Sequence, residues 1–403
     1  MRVLAYTSPA RGHLNPMMGP LLELARRGAE VHVRTLAAEV AAMRAAGLGC
    51  EAIDPAIEAI EMDDHRARTQ LAAGERGFGV WARRAPLEVA DFEAALAAVA
   101  PDVALVDTTT YGAKAVAERE RLPWAESRPF LLEDPAPGVP PFGFGLRPRT
   151  GPLGRLRDAV LARLSAGFDR KTRLPTANAG RLAAGLPPCA TIAEARYRAA
   201  LTLYFTARPF EYRRSLPAGV LMVGAGTWDP PAPLPVELPE DERPLALVTC
   251  SSEFQDDGAI AAAALEGLRG GWRIVATTAG VDPATLPAGG DAVVERFLPH
   301  RPLLERAAVV VCHGGMGITQ KALSHGVPVC VVPWARDQLD VAAHVLEAEA
   351  GTRLPRRKLS PERLAAAVDA ARARAPGAAR VKAGYEATGT VVAAATAMER
   401  LLS

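Results

Sequence analysis

Short runs of apolar residues alternate along the chain with longer stretches in which apolar positions recur at helical spacing. Residues 2–7 (RVLAYT) read as a buried strand, a Ser/Pro/Gly turn follows, and Asn15-Pro16 offers a cap and a first-turn proline for a helix running to Arg27. Gly28 stands where a helix-terminating glycine belongs, residues 30–36 return as a β-rich run, and a second helical stretch ends at Gly47. The rhythm recurs at 102–107, with a helix over 113–120, and again in the second half at 245–250, 273–278, 308–312 and 327–333. Strands alternating with helices predict parallel sheets covered on both faces, here two doubly wound, Rossmann-like α/β domains facing each other across a cleft.

Two stretches, 54–90 and 130–188, lose this rhythm among Pro, Gly, Arg and scattered aromatics. They read as recognition loops, with plain connecting helices as the alternative. The proline-rich, acidic stretch 223–244 (VGAGTWDPPAPLPVELPEDERP) reads as a stiff connector. The expected division is therefore 1–222, a linker at 223–244, 245–388, and a terminal helix at 389–403 that could pack back on the first domain. A chain of 403 residues exceeds what one hydrophobic core usually serves.

Composition narrows the partners. With 47 basic and 45 acidic residues the formal charge is +2, too small a field to argue for nucleic acid or an anionic surface, so a small molecule is expected. Five cysteines without a C-x-x-C pair read as buried thiols in a reducing cytoplasm. No apolar run suits a signal peptide or a membrane span, so a cytoplasmic location is expected.

Ligands of open parallel sheets lie at the carboxyl ends of the strands. Four turns there carry candidate chemistry. His13, after the first strand, has the side chain best matched to proton transfer, and Asp107, closing a later strand, could orient it. Singly, His13 could be a surface histidine and Asp107 a helix cap. In the second half, the strand 308–312 runs into His313-Gly314-Gly315-Met316-Gly317-Ile318, a glycine-rich turn whose helix N–H groups suit a diphosphate. The next turn offers Asp337 and Gln338, a carboxylate and an amide suited to sugar hydroxyls, although Asp337 could also be a helix cap. Asp63-Asp64 and Asp256-Asp257 read as helix caps or solvated pairs, and no metal or other cofactor is expected.

The segment FLPHRPLLERAAVVVCHGGMGITQKALSHGVPVCVVPWARDQLDVAAHV resembles the donor-binding signature of the family 1 glycosyltransferases of GT-B fold, and PARGHLNPMMGPLLELARRG resembles the start of the same family. The chain is most similar to bacterial members that decorate macrolides, polyketides or flavonoid-like phenols. The resemblance implies inverting, metal-independent transfer of a sugar from a nucleotide-diphosphate sugar to a hydroxyl of a small hydrophobic acceptor. It makes His13 the general base and Asp107 its orienting carboxylate. His313, Gly315 and Gly317 would hold the diphosphate, Asp337 and Gln338 the sugar, Ser251 and Ser252 would approach the phosphates, Phe297 and Leu298 would meet the nucleobase, and Gly314 and Ile318 would also lie in the donor site.

Two departures stand out: Ile318 where the family often has Thr, and Lys321 where many members have a ribose-binding Glu. The second favours a dTDP over a UDP donor and would let Lys321 contact a phosphate. Phe78, Trp81, Phe130, Phe142 and Phe144 are candidate walls for the acceptor. A nucleotide-sugar 2-epimerase and a non-catalytic auxiliary of a transferase stay open as other readings.

Overall fold

The computed structural model describes residues 1–402 apart from 68, 230–232, 237, 239–240, 253–254 and 288–289. Several positions of the expected linker at 223–244 therefore lie outside the described residues.

Seven strands form the first sheet: β1 (Arg2–Tyr6), β2 (Glu30–Thr35), β3 (Gly49–Ala52), β4 (Val103–Asp107), β5 (Trp124–Arg128), β6 (Leu201–Tyr204) and β7 (Val220–Met222). Six form the second: β8 (Leu245–Thr249), β9 (Arg273–Thr277), β10 (Val293–Glu295), β11 (Ala307–Cys312), β12 (Val329–Val331) and β13 (Gly351–Arg353). All pairings are parallel. The strand orders are β3-β2-β1-β4-β5-β6-β7 and β10-β9-β8-β11-β12-β13. In each sheet the winding reverses once, between β1 and β4 and between β8 and β11, and a crevice opens there at the strands' carboxyl ends.

The central strands are continuous apolar runs because helices cover both faces. Val3 on β1 pairs with Val31 and Val103 on its two neighbours, all three buried beneath Leu14, Met18 and Leu21 of the helix Arg11–Arg26. Gly28 ends that helix at φ +91°, a conformation open to glycine at little steric cost. The helix Thr390–Glu399 belongs to the same core: Ala394, Ala395 and Met398 pack with Leu14 and Leu21, and Arg27 donates to Glu399 Oε2 at 2.7 Å. The end of the chain thus lies on the first sheet's side of the molecule.

Two expectations are corrected. The first helix starts at Arg11, not at Asn15: Ala10, extended, leads directly into it and accepts from the N–H groups of His13 and Leu14. His13 is therefore fixed in a helical first turn. Pro16 and Pro20 fall inside the helix, where each loses a backbone bond; both are buried. The stretches read as recognition loops are largely helical, with helices at Gln70–Val99, Pro152–Phe168 and Leu174–Ala183.

Candidate functional site

At the first crevice, β1 ends beside β4, so the first turn of the helix Arg11–Arg26, which carries His13, lies against Asp107, the last residue of β4. His13 Nδ1 lies 2.7 Å from Asp107 Oδ2. The same oxygen accepts from Ser8 N at 3.1 Å and Thr109 Oγ1 at 3.0 Å, while Thr109 N reaches Oδ1 at 3.3 Å. Burial raises the Asp107 pKa, but the His13 imidazole and these donors outweigh it and hold the carboxyl at about 2. An ionised carboxylate at Nδ1 favours a proton there, so when the ring is neutral Nε2 carries the lone pair. His13 lines the cleft with Phe130 edge-on at 4.9 Å, and Asp107 is wholly buried behind it.

At the second crevice, β8 leads into Ser251 and Ser252 and β11 into His313. The helix Met316–Ser324 begins there after Gly315, with no side chain capping its first N–H groups. Gly315 and Gly317 line the cleft. A Cβ at Gly315 would strike His313 Nε2, and a Cβ at Gly317 would meet open space. Gly314 does not line the cleft: it turns at φ +94° against Val331, so its part is in shaping the loop. Burial, with Arg336 nearby, lowers the His313 pKa to about 4, so its ring is neutral. Its Nδ1 lies 3.7 Å from Asp257 Oδ2, too far for a hydrogen bond, and has no other partner among the described residues.

Asp337 and Gln338 follow β12. Asp337 occupies the N-cap position of the helix Gln338–Glu347 but makes no capping bond, and its buried Oδ2 has no partner among the described residues. Burial pushes its pKa up to about 6. Gln338 is committed differently. Its Oε1 accepts from Trp334 N at 2.7 Å and Ala335 N at 2.8 Å, and its Nε2 donates to Gln255 Oε1 at 2.7 Å. Both carbonyl lone pairs and one amide hydrogen serve the loop, leaving a single donor for a ligand.

The two crevices open into one cleft of about 1680 Å³. Pockets for one small ligand run to roughly 300–1,000 Å³, so this one has room for two. Ser251, Ser252, Phe297, Leu298 and Ile318 line one part, with Phe297 62% exposed beneath the Arg11 guanidinium. Phe78, Trp81, Phe130, Phe142 and Phe144 line another. Phe78 meets Trp81 edge-on at 4.7 Å, and the Arg173 guanidinium lies over the Phe78, Phe142 and Phe168 rings.

Comparison with known proteins bears on the family and the fold. Residues 273–391 match the family described as Erythromycin biosynthesis protein CIII-like, C-terminal domain. The chain is 31% identical over 421 aligned positions to 4'-demethylrebeccamycin synthase of Lentzea aerocolonigenes, covering 100% of this chain and 99% of that one. The chain belongs to the natural-product glycosyltransferases of GT-B fold. Two solved structures share the architecture at low identity. The glycotransferase of kitacinnamycin has a TM-score of 0.73 at 21% identity, covering 100% of this chain and 99% of that one. Glycosyltransferase VinC, in complex with dTDP, has a TM-score of 0.67 at 22% identity, with coverage of 100% and 99%.

In this glycosyltransferase several site residues lie outside the sequence motifs. Gln255 links Ser251 Oγ, at 2.8 Å, to Gln338, and Asp257 accepts from Ser251 N at 2.8 Å. The Asp257 carboxylate is thus neither a side-chain cap nor solvated. Asp64 likewise pairs with Arg336 across the cleft, at 2.6 and 2.9 Å. Asp340 accepts from Gly143 N at 3.0 Å and Gly145 N at 3.2 Å, tying the Phe142–Phe144 wall to the second sheet's side. Lys321, expected near a phosphate, is engaged by Asp229 Oδ1 at 2.5 Å. Of these, only the acidic pairs and Lys321 carried any signal in the sequence.

Proposed function

We propose that the enzyme transfers a sugar, with inversion and without a metal, from a nucleotide-diphosphate hexose to a hydroxyl of a small hydrophobic natural product. One observation carries the reading. A histidine oriented by an ionised carboxylate shares a cleft with a carboxylate whose buried Oδ2 has no partner among the described residues and with a helix N-terminus that no side chain caps.

In this scheme His13 Nε2 takes the proton of the acceptor hydroxyl as its oxygen attacks the anomeric carbon. The bond from that carbon to the diphosphate breaks on the opposite face. Asp107 stabilises the imidazolium formed, and the first-turn N–H groups of the helix Met316–Ser324 meet the charge on the leaving diphosphate. Asp337 accepts from hydroxyls of the donor sugar, with one amide hydrogen of Gln338 beside it. Phe297 stacks on the base. The aromatic wall from Phe78 to Phe144 favours a flat apolar acceptor. A dTDP donor is preferred to a UDP donor. Lys321 stands where a carboxylate would bond ribose hydroxyls, and the VinC structure holds dTDP.

The test is single-turnover mass spectrometry with dTDP-glucose or UDP-glucose and a panel of phenols and macrolactones, followed by NMR of the product's anomeric centre. Hexose addition with β configuration from an α-linked donor is expected. Retention of configuration, or donor conversion without acceptor, would refute the scheme.

A further inference from the structure

The helix Pro152–Phe168 turns an apolar face to solvent. Leu153, Leu156, Val160 and Leu164 are 66, 63, 49 and 61% exposed, and they recur at three- and four-residue spacing along one face. Contiguous exposed apolar faces mark interaction sites, whereas single exposed residues do not.

The charge beside this face is of one sign. Asp158 is bound by Arg157 at 2.8 Å and Asp169 by Arg173 at 2.7 Å. Arg163, Arg170 and Lys171 are exposed and have no carboxylate partner among the described residues. Two copies of this helix would bring cations against cations, and four side chains fall well short of the roughly 800 Å² per partner of a stable interface. Apolar residues flanked by unpaired arginine and lysine match instead the surface of an anionic bilayer. No helix among the described residues is long and apolar enough to cross a membrane. The face also reaches the cleft: Leu164, with the exposed Leu71 of the neighbouring helix, lines it together with Phe168 and Lys171.

We propose that the helix Pro152–Phe168 docks on an anionic lipid surface. Leu153, Leu156, Val160 and Leu164 enter the headgroup–acyl boundary, and Arg163, Arg170 and Lys171 meet lipid phosphates. The acceptor end of the cleft then opens at the membrane, where a lipophilic acceptor concentrates. This last consequence rests on the function proposed above, but the docking does not.

The test uses the full chain without donor or acceptor. It is sedimented with vesicles of phosphatidylglycerol and phosphatidylcholine in equal parts, or of phosphatidylcholine alone. Binding at least about tenfold stronger to the anionic vesicles is expected, weakening with salt. Leu156→Glu with Val160→Glu, and separately Arg163→Glu with Arg170→Glu, should each lower that binding at least about tenfold with an unchanged melting temperature. Equal binding to both vesicles, or anionic binding that survives the first pair, would overturn the proposal. So would a concentration-dependent dimer that Leu156→Glu disperses in the absence of vesicle binding, which would assign the face to a second copy.

Discussion

The two crevices hold carboxylates in opposite states. Asp107, in the first, accepts from His13, Ser8 and Thr109 and is held at about 2. Asp337, in the second, has a buried Oδ2 without a partner among the described residues and is pushed up to about 6. Across the same crevice the ring of His313 also has a buried nitrogen without a partner among the described residues. An unsatisfied buried polar group costs stability, so such groups gathered at one place indicate a surface completed by its ligand. The hydrogen bonds of Asp107 in the first crevice are in place before any substrate arrives, as the proposed base requires to work without reorganisation. On the proposed function, the first crevice is the one built for chemistry and the second the one built for binding.

The largest effect should come from His13→Ala, which removes the base: kcat/KM is expected to fall about 10³-fold, with donor affinity unchanged, as measured by steady-state kinetics and calorimetry. Next, Asp107→Asn keeps the volume but loses the charge that fixes the imidazole, and a fall of about 10²-fold in kcat is expected. Because folding lowers the pKa of Asp107, its stabilisation is present above pH about 4 and is lost as pH falls towards 2. The variant's melting deficit should therefore shrink over that window.

Asp337→Asn should raise the donor KM about tenfold or more, the value of hydrogen bonds to a charged acceptor. Its stability effect has the other sign. A carboxyl raised in the fold is harmless below its unfolded pKa and costs stability as pH rises through about 6. The variant should therefore unfold at higher denaturant than the parent at pH 8, by on the order of 1–3 kcal/mol, and the gap should close at pH 4. Donor KM for the parent should fall as pH rises through 6, an inflection that the variant lacks. The smallest effect is assigned to the bridge across the cleft: Asp64→Asn and Arg336→Gln should be non-additive by about 1 kcal/mol in a double-mutant cycle on stability, with a few-fold rise in donor KM.

Much of this was legible in the sequence because parallel strands buried on both faces read as unbroken apolar runs, and ligands of such sheets gather where strands end. That rule reached His13, Asp107, His313 and Asp337 without knowledge of strand order. The helix Gln70–Val99 was not legible, since Gly74, Gly77, Gly79 and Pro86 each disfavour helix locally. Packing overrides them: Gly77 is buried, and a Cβ at Gly74 would stand 3.0 Å from the Phe168 ring. The bridge from Asp64 to Arg336 spans 272 positions, and no local pattern announces it. Gln338 shows a subtler limit. Its position after β12 was evident, but only the fold reveals that its amide mostly holds the loop in place.

The central claim is that base and donor site are separable parts of one cleft. Titrating dTDP-glucose into His13→Ala and Asp337→Asn, and following sugar transfer by each, tests it most directly. His13→Ala should bind the donor as the parent does and transfer almost nothing, and Asp337→Asn should bind it at least about tenfold more weakly yet still transfer at saturation. Loss of donor binding in His13→Ala, or transfer by it at the parent's rate, would contradict the account.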